Sequence, residues 1–320
     1  MPRRSVIIVA LLAAGCKGTT PVGPTTSPTT TTTIPAPLTV AVSGRVTAVN
    51  GGQPLAGVAV TLGSATLTSD ASGAFATSLG LGSLRVTLAS GGILPRSVTA
   101  AVTGARELPL DAIALGGGFD PTFYRQFVRN TLDAPAGMEP LRRWTKAPQV
   151  YVKTVDEAGI AIELTTLAVV EEAIRTTASI WSNGLGVASI QRGTQTRIGQ
   201  TGWFTVTWPN PVLSDHCGLS DIAKDGGQIQ LNYLRPTCRC PGTQIYPWLV
   251  RHELGHAFGY WHTDNPDDVM YGKQGPGCDG MPSARERYHA AIAYNRPVGN
   301  LDPDSDPTSA VLSLPFRMVY

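Results

Sequence analysis

Three histidines and a glutamate in the last third of the chain have the spacing of a metal site. His252 and His256 are four residues apart, so on a helix both imidazoles leave the same face and suit two corners of a tetrahedral zinc site. Gly259 accepts the left-handed backbone that ends a helix, so the chain can turn there and bring back His262 as a third ligand. Glu253 could then hold a water molecule at the open fourth corner, which is typical of a catalytic zinc site.

The full pattern reads H-E-x-x-H-x-x-G-x-x-H from His252 to His262, and Met270 follows eight residues later. It resembles the signature of the metzincin metallopeptidases, which pairs these histidines with a downstream methionine turn. Within them it is most similar to the matrixins, because Thr263 stands where they usually have serine and Val269–Gly272 (VMYG) resembles their turn. The resemblance covers His252–Gly272, and the elements upstream are compatible with the same α+β domain.

This resemblance implies a role for each matching residue. The implied ligands of one catalytic Zn²⁺ are the three histidines of the pattern, His252, His256 and His262. Glu253 would be the general base and then the general acid, and Met270 would form an apolar floor beneath the metal. The implied activity is that of an exported zinc-dependent endopeptidase, which hydrolyses peptide bonds with a zinc-activated water molecule. Some metzincins have a tyrosine oxyanion donor two residues after the methionine, but Gly272 stands there in this chain.

Two other functions remain open from the sequence. The first is a non-enzymatic surface binding protein whose zinc domain has decayed. The intact Glu253 argues against it, because a remnant has no reason to keep a buried acid beside its metal. The second is a zinc hydrolase that acts on non-peptide substrates, since three histidine ligands also serve small-molecule chemistry. The first choice predicts a protein or peptide as the partner, with no preference that can be read from the sequence.

Four of the five cysteines fall in the half that carries the histidines, at Cys217, Cys238, Cys240 and Cys278. An even set in an exported domain favours two disulfides, for which three connectivities exist. Cys238 and Cys240 are too close in sequence to pair with each other, which leaves two connectivities open. The alternative, a second zinc site with cysteine ligands, lacks a C-x-x-C spacing.

The remaining histidines, His216 and His289, are predicted to be surface or structural residues, because the site already has three ligands. Three acidic residues are candidates for a structural Ca²⁺, namely Asp215, Asp221 and Asp225. They lack the spacing of an EF-hand.

Residues 1–16 have the form of a bacterial lipoprotein signal. A positive start precedes the apolar run Val6–Ala14, which is too short to span a bilayer. The segment Leu12–Cys16 (LAAGC) resembles a lipobox, which implies acylation of Cys16 and a membrane anchor. The expected location is the bacterial cell envelope, with the protein exported and anchored by lipid. Ordinary cleavage near Ala14 is the alternative and would give a secreted protein.

The rest of the chain predicts a multidomain protein in which an all-β sandwich is followed by an α+β, metzincin-like zincin domain. Residues 17–37 are rich in Thr and Pro and form a tether. Residues 38–115 alternate in short runs broken by turns, which predicts an antiparallel sandwich. This part resembles carboxypeptidase-regulatory-like domains and contains no His or Cys, so it is interpreted as a spacer or adhesion module. Residues 119–300 form the predicted peptidase domain, and 301–320 are a tail.

Several elements must position the zinc motif. We expect helices in the segments Phe119–Leu141, Glu163–Trp181, from Pro247 through the histidines, and from the capping box at Ser283 to Tyr294. We expect strands at Gln149–Thr154, Trp203–Trp208 and Gly227–Tyr233. By the resemblance, the last strand is the candidate for the edge of the cleft that pairs with a substrate backbone, with an ordinary inner strand as the alternative. The net charge of +2 and the scattered Lys and Arg give no footprint for nucleic acid.

Overall fold

The structure is a computed structural model that describes residues 38–49, 52–209, 216–239, 245–273, 277–302, 304–307 and 317–319. The predicted signal and tether lie outside these residues, and so do Cys16, Asp215 and Cys240. None of the described helices is long and apolar enough to cross a membrane. The described residues contain three sheets and four α-helices, so this part of the protein is rich in β-structure.

Seven strands form the first part of the described chain. They are β1 (Thr39–Ala48), β2 (Ala59–Leu62), β3 (Ala65–Thr68), β4 (Ala74–Gly80), β5 (Gly82–Ala89), β6 (Arg96–Val102) and β7 (Arg106–Ala112). One sheet has the order β4-β1-β7 and the other β3-β2-β5-β6. Apolar side chains of both sheets, among them Val42, Val60 and Val86, are buried in one cluster, as expected for a sandwich.

The prediction of a purely antiparallel sandwich is wrong at one pairing. β7 runs parallel to β1, with Val46 opposite Leu110. Between β4 and β7 the chain builds β5 and β6 in the other sheet, and it then returns beside β1 in the same direction. Alternation of apolar residues predicts which strands exist, but it carries no information on the direction of a partner across the sheet.

A six-stranded sheet and four helices follow. In chain order they are α1 (Pro121–Arg129), β8 (Gln149–Lys153), α2 (Leu164–Trp181), β9 (Ser189–Gly193), β10 (Trp203–Thr207), β11 (Gly218–Asp221), β12 (Gly227–Leu231), α3 (Pro247–Phe258), α4 (Ala284–Tyr294) and β13 (Arg317–Val319). The sheet order is β13-β11-β12-β10-β8-β9. The strands expected near β8 and β10 and the helices expected from Glu163, Pro247 and Ser283 are confirmed. The helix expected over Phe119–Leu141 ends already at Arg129, because Asn130 adopts a left-handed backbone conformation.

The expected position of the strand Gly227–Tyr233 at the sheet edge is wrong. This strand, β12, lies between β10 and β11. The antiparallel strand β11 covers its outer side, with Gly218 opposite Leu231, and β13 in turn pairs with β11. All four residues of β11 are buried, so the strand lacks the alternation by which a half-exposed strand is recognised in a sequence.

Capping groups explain where two of the helices begin. Asp120 accepts hydrogen bonds from the backbone N–H groups of Thr122 and Phe123 at the start of α1. The predicted capping box is present at α4, where Ser283 and Glu286 satisfy each other's backbone N–H groups.

Buried ion pairs connect the sandwich with the chain that follows α4. Arg296 is fully buried and pairs with Asp304 at 2.8 Å and with Asp111 of β7. Arg96 of β6 is also buried and lies 3.3 Å from Asp304. The apolar core of the helical part also contains Ile113, next to the end of β7. The sandwich is thus packed against the part of the protein that carries the helices, while the domain boundaries at 115 and 119 stay a prediction.

One disulfide is described, between Cys217 and Cys238. It corresponds to one of the two connectivities left open by the sequence, and it removes both cysteines from the alternative of a second zinc site. Cys278 is also disulfide-bonded. The bridge joins the residue before β11 to the segment before α3, so it connects two segments that both precede the histidine motif in the chain.

Candidate metal centre

Helix α3 carries the first two histidines and is buried along its length. Pro247 is its first residue, where a missing N–H group costs nothing. It ends at Gly259, whose φ of 113° lies in a region that side chains rarely adopt. A side chain at this glycine would also overlap the backbone carbonyl of Arg142. Gly259 therefore ends the helix and lets the chain pass close to a neighbouring segment, as the sequence predicts.

The three histidines of the motif converge. The ring centroids lie 4.7 Å apart for His252 and His256, 5.3 Å for His252 and His262, and 4.9 Å for His256 and His262. All three side chains are buried. Within the described part of the chain they form the one group of three or more metal-binding side chains, with ligand atoms within 4.8 Å of one another. These residues could hold a metal ion.

Hydrogen bonds fix the tautomers of the two helix histidines. Nδ1 of His252 lies 2.7 Å from the carbonyl oxygen of Val269, and Nδ1 of His256 lies 2.7 Å from that of Tyr260. A carbonyl can only accept, so each Nδ1 carries a proton and each neutral ring has its lone pair at Nε2. The two Nε2 atoms are 3.1 Å apart. Two lone pairs that face each other at this distance repel, unless a cation lies between them.

A proton is a poor candidate for that cation. Burial lowers the pKa of His252 to about 3, and the neighbouring His262 adds to the effect. Burial, followed by the charges of His252 and His262, also lowers the pKa of His256 well below its usual value. Both rings are therefore neutral at physiological pH, which is the form that binds a metal ion. The donor set of buried neutral imidazoles fits Zn²⁺.

The third histidine comes from the loop after Gly259. Nδ1 of His262 lies 3.1 Å from a carboxylate oxygen of Asp133. Its other ring nitrogen, Nε2, is buried and has no hydrogen-bond partner among the described residues. A buried polar atom without a partner is costly, and a metal ion at this position would satisfy it. The orphaned Nε2 of His262 thus independently supports a metal in the group.

Glu253 is buried beside the histidines. Neither of its carboxylate oxygens has a hydrogen-bond partner within the described residues. Burial raises its pKa well above the usual value. Gly218, the first residue of β11, packs directly against this side chain, and a Cβ there would lie 2.7 Å from Cγ of Glu253 and overlap its carboxylate. A buried carboxyl group with a raised pKa can accept a proton and later return it, which are the roles of a general base and a general acid.

Met270 lies beneath the helix and is fully buried. A side chain at Gly255 would overlap its sulfur atom, so this glycine in the middle of α3 permits the close approach. Glu286 of α4 holds the turn in place, because it accepts hydrogen bonds from the backbone N–H groups of Val269 at 3.1 Å and of Met270 at 2.8 Å. Because the carbonyl of Val269 also accepts a hydrogen bond from Nδ1 of His252, the turn connects α4 to the three histidines.

The other candidate residues lie outside the histidine group. The backbone carbonyl of His216 accepts a hydrogen bond from Asn232, and the buried ring of His289 bonds to the backbone of Arg285 and Asp120. Asp221 accepts the backbone N–H of Gln228 and pairs with Lys224. Asp225 accepts the backbone N–H of Gly202. The structure therefore gives the proposed calcium site no support at Asp221 and Asp225.

The contacts that three residues make at the site could not be predicted from the sequence. Asp133 and Gly218 reach the site from segments far from the motif along the chain, so no local spacing marks them. Glu286 is recognisable as part of a capping box, but its bonds to the methionine turn depend on how α4 packs. Only tertiary contacts reveal these roles.

Comparisons with known proteins give weak similarities. No family model and no curated protein matches the chain. Metalloproteinase-II from Bacteroides fragilis is 13% identical, with a TM-score of 0.31, and the match covers 78% of this chain and 84% of that one. A DUF3823 family protein from Parabacteroides merdae (23% identity, TM-score 0.22) matches 25% of this chain. A minor pilin from Streptococcus agalactiae (18% identity, TM-score 0.21) matches 26%.

The last two matches each span 48% of the neighbour's chain, or about half of its length. Similarities at these TM-scores carry no argument about function. The chemistry of the histidine group and of Glu253 therefore has to support the functional assignment.

Proposed function

We propose that the protein is a zinc-dependent endopeptidase of the metzincin type, similar to the matrixins. The observation that carries this proposal is the pair of Nε2 lone pairs of His252 and His256, 3.1 Å apart, with the unpartnered carboxylate of Glu253 on the same helix. Burying a carboxyl group without a hydrogen-bond partner costs free energy. A buried carboxyl group beside potential metal ligands is therefore typical of a catalytic site. The matrixin-like subtype rests on Thr263 and the run Val269–Gly272.

Zinc bound by the three histidines would supply a Lewis acid that polarises the scissile carbonyl and acidifies water. Residues of the chain would move the proton and orient the metal ligands. Glu253 takes a proton from the attacking water and returns it to the leaving amine, a role that suits its raised pKa. The Val269 and Tyr260 carbonyls keep the helix histidines in the tautomer that presents Nε2. Met270, fully buried against Gly255, would support the helix beneath the histidines.

We also propose that an extended substrate pairs with the outer edge of β11. This strand begins at Gly218, which packs on Glu253, so a backbone along that edge would pass the carboxylate. β13 pairs with the same edge in antiparallel direction, with Leu219 opposite Val319 and Ser220 opposite Met318. The edge is therefore able to pair with an extended backbone, and a substrate would have to take the place of residues 317–319.

The proposal includes the cellular setting inferred from the sequence. Cys16 would be acylated, residues 17–37 would serve as a tether, and the protein would be anchored in the bacterial cell envelope. The sandwich would be a spacer or adhesion module. Incorporation of a labelled fatty acid that is lost in Cys16→Ala would test the anchor, and no incorporation into the wild-type protein would exclude it.

The experiment that tests the activity compares the wild-type protein with Glu253→Gln on a peptide library. We expect the wild-type protein to cleave peptides and to stop when zinc is chelated. Glu253→Gln should keep zinc and lose at least about a hundredfold in kcat, because it cannot move the proton. Glu172→Gln, on the exposed face of α2, is the matched control and should be as active as the wild type. Cleavage that survives both chelation and Glu253→Gln would refute the proposal, and so would a zinc-loaded wild type that cleaves no peptide.

A further inference from the structure

Asp133 contacts the third histidine from a segment that precedes the six-stranded sheet. Its Oδ2 atom lies 3.1 Å from Nδ1 of His262, and its side chain is partly exposed, whereas that of His262 is buried. Among the described residues Asp133 is not a member of the group of potential metal ligands. It therefore contacts the ring from outside, on the nitrogen opposite to the orphaned Nε2.

The three histidines differ in what holds their Nδ1 atoms. His252 and His256 use main-chain carbonyls, which are fixed by the methionine turn and by the end of α3. His262 lies beyond α3 and has a carboxylate at this position. A carboxylate accepts the Nδ1 proton more strongly than a carbonyl does, fixes the tautomer and makes Nε2 a better donor to a metal. The orientation of His262 is thus set by a side chain from another element.

Helix α1 keeps Asp133 close to the loop that carries His262. The backbone N–H of Trp261 donates to the carbonyl of Phe127 at 2.8 Å, and Gln126 donates to Asp264 at 2.9 Å. Phe127 also stacks on Tyr260, with ring centroids 4.1 Å apart. These contacts lie on both sides of His262 along the chain. Asp133 follows α1 by four residues, so its carboxylate is held at the ring by the same docking.

We propose that Asp133 is a positioning residue that orients His262 for metal binding. This inference rests on the metal site of the proposed function, but it concerns affinity for the metal and not the cleavage of peptides. A carboxylate that merely lay near the ring without orienting it would contribute nothing to metal affinity. The loss of a carboxylate partner of a metal-binding histidine typically weakens metal binding by about 10- to 100-fold.

The test measures the zinc dissociation constant of the full chain by competition with a chromophoric chelator. We expect Asp133→Ala to bind zinc about 10- to 100-fold more weakly than the wild type, and Asp133→Asn to fall between them, because its amide oxygen still accepts the proton without the charge. Asp225→Asn is the matched control, since this exposed carboxylate accepts a backbone N–H far from the histidines along the chain. It should leave zinc affinity unchanged. The melting temperature of the zinc-free protein should not differ among the variants.

An Asp133→Ala protein that binds zinc as tightly as the wild type, or more tightly, would overturn the inference. So would a wild-type protein that binds no zinc. A weaker affinity accompanied by an equal loss of stability in the zinc-free protein would also overturn it, since the residue would then be structural. If the wild type binds zinc and Asp133→Ala weakens it, but no peptide is cleaved, the proposed function fails while the role of Asp133 stands.

Discussion

Gly218 packs directly against the side chain of Glu253, so closely that a Cβ on the glycine would overlap the carboxylate. The two residues are 35 positions apart in the sequence. Their contact brings the first residue of β11 to the general base proposed on α3. Because Gly218 has no side chain, the Glu253 carboxylate can occupy the space beside it.

Gly218→Ala should lower peptide cleavage and leave zinc binding intact. The methyl group would overlap the carboxylate and Cγ of Glu253, so the side chain has to shift and the base is misplaced. A displacement of about 1 Å typically costs about a hundredfold in rate, so kcat should fall by about that factor. Steady-state kinetics and zinc content measure the two effects. Gly80→Ala in β4 is the control, because a Cβ there contacts nothing within 4 Å; equal activity of both variants would contradict the prediction.

The stability of the protein should depend on pH through Glu286. Burial, with a further contribution from Asp268, raises its pKa from 4.5 to about 7, although backbone N–H groups act in the opposite direction. Because the folded state holds this proton more tightly than the unfolded state, the stabilising contribution is complete below pH 4.5 and is lost as the pH rises through 7. The shift corresponds to roughly 3 kcal/mol in the free energy of unfolding.

Glu286→Gln should remove that part of the pH dependence. Urea unfolding of the zinc-free wild type and variant, across the window between pH 4.5 and 7, measures the two slopes. Titrations at other residues, including Glu253, occur in both proteins and cancel in the difference. We expect the variant to lose less stability than the wild type as the pH rises. Parallel curves for the two proteins would show that Glu286 does not titrate in this range.

Asp304→Asn should destabilise the contact between the sandwich and the rest of the protein. The change leaves the buried guanidinium groups of Arg296 and Arg96 with less negative charge nearby. Removing one partner of a buried ion pair typically costs about 3–5 kcal/mol. The control is Glu172→Gln, which breaks the exposed pair with Arg175 and should cost less than about 1 kcal/mol. Urea unfolding monitored by tryptophan fluorescence would compare them; equal costs would contradict the prediction.

Deletion of residues 308–320 should increase peptide cleavage. If the substrate pairs with the outer edge of β11, residues 317–319 of the same chain compete with it for that edge. We expect KM to fall in the deletion variant and kcat to change little, because the catalytic residues are untouched. Adding a free peptide with the sequence of residues 317–320 (RMVY) should reverse the effect, and a scrambled peptide should not. An unchanged KM would place the substrate elsewhere.

Much of the site could be predicted from the sequence because its main parts are local. The helical period puts His252 and His256 on one face, and Gly259 provides the left-handed residue at which the helix ends. The capping box at Ser283 likewise needs only residues one turn apart. Such features depend on backbone geometry over a few residues, so residue types and spacing are enough to identify them.

Only the tertiary structure decided the rest. β12 lies inside the sheet because β11 pairs with its outer side, and the four buried residues of β11 show no alternation in the sequence. The contacts of Asp133 with His262 and of Gly218 with Glu253 join residues that lie far apart along the chain. The sequence therefore determined the kind of chemistry that this protein offers. Packing decided which distant residues contact the histidines and Glu253, because such contacts arise only when separate elements meet in space.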